Sequence, residues 1–110
     1  DIEYIAMRER QINLLNVMYK RVKIINTKPV TAHVISDFLE KMSIEFHQNN
    51  SGDELLQEFM QINSDMKKKP LPVTRQEFED RAQLYILLRN IEEFLMIKIE
   101  FANYYLESKK

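Results

Sequence analysis

The sequence predicts an all-α fold, an up-down-up-down four-helix bundle whose first and last helices are long. Three observations carry this. Chain punctuation is scarce: one glycine, Gly52, and three prolines at two places, Pro29 and Pro70 with Pro72, so the elements are few and long. Between these breaks apolar residues recur every three to four positions, the helical period. Two Ser/Thr-x-x-Glu patterns, Ser51–Glu54 and Thr74–Glu77, follow directly after breaks, where a capping box starts a helix. A β-sandwich needs many turns, and this composition does not supply them.

The first helix is expected over about 2–26, with a stripe of Tyr4, Met7, Leu15, Met18, Val22 and Ile25 and with Ile12 and Tyr19 on its flank. It ends because Pro29 disfavours helical geometry at Lys28. The second, about 31–47, carries Ile35, Phe38, Leu39, Met42 and Phe46, and Asn49-Asn50-Ser51-Gly52 forms the turn after it. The third, about 52–68, opens on the Ser51 box, carries Leu55, Leu56, Phe59, Ile62 and Met66, and stops before Pro70-Leu71-Pro72. The fourth opens on the Thr74 box and runs over about 75–106, roughly 50 Å at 1.5 Å per residue. Short connections make neighbours antiparallel, which sets helices one and four side by side in a single domain, 1–110.

Composition narrows the function. With 45% hydrophobic and 30% charged residues the chain is globular. A net charge of −1 argues against a nucleic-acid partner. No cysteine is present, and no apolar run approaches the roughly 18 residues of a membrane span. Lys20, Arg21, Lys23 and Lys28 close the first helix, Lys67 to Lys69 close the third, and Glu77, Glu79 and Asp80 open the fourth. Helix dipoles favour this distribution, and it reads as a solvated face. His33 and His47 have no glutamate three residues before them, so the carboxylate-bridged metal site of helical bundles is not expected. With no Gly-rich phosphate loop either, neither a cofactor nor an enzyme is expected.

Two constellations stand out. At 100° per residue, Arg8 and Gln11 fall inside the apolar arc of helix one, Lys98 does so on helix four, and Glu45 lies near the core edge of helix two. Antiparallel packing brings them to one end of the bundle. They are either long side chains lying across the core edge, with heads in water or paired to Glu45, or a site for a small anionic or aromatic carboxylate, in the manner of chorismate mutases. On helix four, Ile97, Phe101 and Tyr104 sit off the core stripe Leu84, Leu88, Ile91, Leu95 and Ala102. They mark either an interaction surface or a helix buried on several sides.

The run Pro70-Leu-Pro-Val-Thr-Arg-Gln-Glu-Phe-Glu-Asp-Arg-Ala82, continuing through Leu87, Leu88, Arg89, Asn90 and Ile91 to Lys98, resembles the C-terminal domain of the putative aromatic acid exporter family. The stretch from Ser36 to Asn50 is similar more loosely. These are bacterial membrane proteins with an N-terminal membrane region. The resemblance implies a fragment C-terminal to such a region, on the cytoplasmic side of the membrane, with a regulatory or assembly role. It implies its own membrane region as a partner, the strip Ile97, Phe101 and Tyr104 adds a second copy of the chain as another expected partner, and a chain that opens without Met suits an excised domain. With helix one leaving the bilayer, helix four returns towards it and ends on Lys109 and Lys110, so Ile97, Phe101 and Tyr104 lie near the membrane.

Overall fold

A computed structural model describes residues 2–25, 29–45 and 52–108; the side chains of 29–32 and 105–108 are outside the description. Four helices follow in order: α1 (Ile2–Ile24), α2 (Pro29–Glu45), α3 (Asp53–Lys67) and α4 (Arg75–Ser108). No strand occurs among the described residues. The bundle measures 54 × 24 × 18 Å, its length set by α4.

Two helix starts differ from expectation for local reasons. Helix α2 begins on Pro29 itself, two residues early. Proline lacks the N–H that the first helical position leaves unpaired, and its ring already holds the helical φ. Helix α3 takes Gly52 as N-cap, at φ 82°, with no side-chain cap. The Ser51 half of the expected box lies outside the described residues. Gly52 is buried, and a Cβ there would stand 3.4 Å from Lys98 Cδ; it is the left-handed φ, more than space, that calls for glycine.

The second box forms. Thr74 Oγ1 accepts from the Glu77 amide at 3.1 Å, and Glu77 reaches back to the Val73 amide at 2.9 Å, one residue before the usual partner. Arg81 donates to the Pro70 carbonyl at 2.8 Å, folding the Pro70–Val73 segment against the first turns of α4. At the other end of that connection, amides of Lys68 and Lys69 close α3 on the carbonyls of Asp65 and Met66.

The core joins all four helices: Leu15 and Met18 of α1; Ile35, Phe38, Leu39 and Met42 of α2; Leu55, Phe59 and Met66 of α3; Leu84, Leu87, Leu88, Ile91, Phe94 and Leu95 of α4. Each such side chain stabilises the fold by about 1.5–3 kcal/mol relative to exposure. Phe46, expected among them, lies outside the described residues. Tyr4, Ile12 and Tyr19, expected on or beside the α1 stripe, are each more than 40% exposed.

Helix α1 packs against α4 and α2, and α3 against α4. The Lys41–Glu58 ion pair joins exposed edges of α2 and α3, which completes the ring of neighbours. Helices α1 and α4 hold one antiparallel register. Tyr4 meets Phe101, Arg10 lies 3.9 Å from Glu93, Gln11 donates to the Phe94 carbonyl and Arg21 to Gln83. Seventeen residues forward on α1, from 4 to 21, thus correspond to eighteen back on α4, from 101 to 83.

Candidate functional site

The α1 start and the α4 end stand side by side because of that register. The rings of Tyr4 and Phe101 pack with centroids 5.6 Å apart and planes tilted by 58°. The Glu3 carboxylate accepts from the Tyr104 hydroxyl and holds that phenol above its ordinary 10.0. Arg8 lies with its guanidinium 5.2 Å from the Tyr4 ring centroid and donates through Nε to the Tyr4 hydroxyl at 2.9 Å.

Deeper along the same end are the inward polar residues. Gln11 is fully buried, its amide 3.5 Å from the Phe94 carbonyl. Lys98 is buried to 8% exposure and donates from Nζ to the Glu45 carbonyl at 2.8 Å, closing the last turn of α2 from across the bundle. Its stem runs along Gly52. Burial pushes the Lys98 pKa below 10.5; the Glu45 charge opposes this and the Arg8 charge adds to it. Arg8, Gln11 and Lys98 are therefore brought to one end, as their helical angles required. The polar tips of Gln11 and Lys98 are turned to main-chain carbonyls, and Arg8 to Tyr4.

The strip on α4 is graded. Ile97 is 5% exposed and packs inside, Phe101 is half-buried on Tyr4, and Tyr104 is 50% exposed. Further exposed apolar surface at this end comes from α1, with Ile2 at 85% and Ile5 at 55%.

One concave feature was not anticipated. A groove of about 380 Å³ runs between α3 and α4, lined by Phe59, Asn63 and Lys67 from one and Tyr85, Leu88, Arg89 and Glu92 from the other. The sequence carried a faint signal for it: Asn63 with Lys67, and Tyr85 with Arg89, are four apart and so share a helix face. Among the described residues no three His, Cys, Asp or Glu side chains gather as a metal-holding group. No helix there is long and apolar enough to cross a membrane.

Comparison with known proteins adds the family. The chain is 31% identical over 98 residues to an uncharacterized protein, YqjA, of Bacillus subtilis (strain 168). The match takes in 89% of this chain and spans 30% of that protein's length. No solved structure matches. Residues 2–99 match the family described as the putative aromatic acid exporter C-terminal domain. With nearly its whole helical bundle inside that match, the chain belongs to the C-terminal domain family of the putative aromatic acid exporters.

Proposed function

We propose that this bundle is a non-catalytic domain on the cytoplasmic side of a membrane exporter, where it regulates or assembles the membrane region by docking on it. The carrying observation is the pairing of the α1 start with the α4 end, where Tyr4 stacks on Phe101 and where Ile2, Ile5 and Tyr104 are each half or more exposed. Aromatic rings and isoleucines on an outer end, rimmed by Glu3, Arg8 and Arg10, have the composition of an interaction surface. Lys109 and Lys110 follow α4 in the sequence, and lysine and arginine beside a membrane favour its cytoplasmic side. A structural role for the inward polar residues supports the non-catalytic reading, because Gln11 and Lys98 have their tips on main-chain carbonyls.

A photo-crosslinking phenylalanine in place of Tyr104, in the full-length exporter that carries this domain, tests the docking. The expected result is an adduct with the membrane region from position 104 and none from Met60, which is 60% exposed on α3. Adducts only with a second copy of the bundle, or equal adducts from both positions, overturn it.

A further inference from the structure

The start of α4 carries apolar side chains that the core does not use. Leu71 and Val73 are 83% and 90% exposed, and Phe78, in the first turn of the helix, is 66% exposed. With Thr74 as N-cap, Val73 and Phe78 stand at the two positions where a hydrophobic staple would close. Their exposure shows that it does not close. Yet the backbone beneath them is fixed. Arg81 donates to the Pro70 carbonyl at 2.8 Å, the Glu77 carboxylate accepts from the Val73 amide at 2.9 Å, and the Phe78 amide donates to the Thr74 carbonyl at 3.0 Å. Three large apolar side chains are thus presented to solvent from one held corner of the bundle.

The chain leading into this corner has charge of one sign. Lys67, Lys68, Lys69 and Arg75 are all exposed, and no carboxylate occurs from Met66 to Gln76. Residues 10–36 are equally free of Asp and Glu. The Arg21–Gln83 hydrogen bond brings the last turn of α1, with Lys23 exposed and Ile24 70% exposed, to the same end of the bundle. Of the acids that open α4, Glu77 is turned to the Val73 amide, Asp80 accepts from Gln76, and Glu79 stands about 100° round the helix from Phe78. Shape then selects the occupant. Exposures so near those of a free chain belong to a projecting corner, whereas a peptide or helix from another protein docks into a groove or along a sheet edge. A lipid interface needs neither. It takes up projecting apolar side chains, and anionic headgroups attract the lysines and arginines around them.

We propose that this corner binds the surface of an anionic bilayer, with Leu71, Val73 and Phe78 entering the interface and Lys67, Lys68, Lys69 and Arg75 lying against the headgroups. The inference goes beyond the docking role and does not rest on it. Phe78 and Tyr104 are twenty-six residues apart on α4, about 39 Å at 1.5 Å per residue, so the two surfaces are separate places. They reach one membrane together only with the 54 Å axis of the bundle lying along it.

The chain has no tryptophan, so Phe78→Trp supplies a single reporter for the test. Its emission is expected to shift to shorter wavelength on vesicles of equal parts phosphatidylglycerol and phosphatidylcholine, and to stay in place on phosphatidylcholine alone. Met60→Trp, at a position 60% exposed on α3, is expected to stay in place on both. In co-flotation of the 110-residue chain with the mixed vesicles, Lys67→Gln, Lys68→Gln and Lys69→Gln combined should weaken partitioning on the order of a hundredfold. Leu71→Ser with Phe78→Ser should weaken it about tenfold, and Ile2→Ser with Ile5→Ser at the other end should leave it unchanged. All these side chains are exposed, so the far-ultraviolet spectrum should be the same in each variant. No binding to the mixed vesicles, equal binding to both vesicle types, full binding by the Leu71 and Phe78 variant, or loss through the Ile2 and Ile5 variant overturns the proposal. So does capture of polyglutamate with the mixed vesicles left unbound.

Discussion

At the scale of single residues, Lys98 has the most consequential surroundings. Its ammonium holds the Glu45 carbonyl; removal from water first, and Arg8 nearby second, lower its pKa from 10.5 against the opposing Glu45 charge. Between the folded pKa and 10.5 the unfolded chain binds more protons at this position, so stability contributed here rises with pH across that window. A neutral amine still donates to the Glu45 carbonyl, so the hydrogen bond outlasts the charge. The difference in urea midpoint between the native chain and Lys98→Met should therefore grow in favour of the native chain as pH climbs towards 10.5; a flat or falling difference refutes the assignment. That Gln11 and Lys98 project inward was legible from the helical period alone. What they bond to was not, because a period gives an angle and no partner. Ile97 follows the second of its two readings: it lies off the stripe's centre and is buried, because α4 is covered on two sides.

Among the elements, α4 has the best-defined start. Thr74 and Glu77 satisfy amides at 77 and 73, and a cap of this type contributes roughly 1 kcal/mol. Thr74→Ala should lower stability by about that amount in chemical denaturation, and Thr74→Ser should restore most of it; an alanine variant as stable as the native chain would remove the cap from the account. This boundary was readable because it is written in local chemistry, a hydroxyl three residues before a carboxylate. The start of α3 was not, since Gly52 and Ser51 are both acceptable caps by residue type. The path of the chain decides between such neighbours: position 52 takes the left-handed φ of 82° that favours glycine, which residue type alone does not announce. The α3–α4 groove was illegible for a related reason. Lys67 reads as a solvated charge, and Arg89 only as part of the family-like run, until the two helices are laid side by side.

For the molecule as a whole, stability should be graded across the helices. Helix α4 contributes six of the buried core side chains and packs against both α1 and α3, whereas α2 meets α1 over a smaller contact and joins α3 through an exposed ion pair. Native-state hydrogen exchange should accordingly find amides of Leu88 to Leu95 opening only with global unfolding and those of α2 opening earlier. Equal protection in α2 and mid-α4 would contradict this. The topology itself was predictable, because short connections between amphipathic helices leave few arrangements open. The same topology has a mechanical consequence. A load entering through the first turn of α1, with α4 held at its last turn, acts on two strands of a zipper gripped at the same end. The seam then fails one tooth at a time, first Tyr4 from Phe101, next Gln11 from Phe94, last Arg21 from Gln83. A bundle gripped at opposite ends would have to shear every tooth at once; this one peels under a much smaller pull.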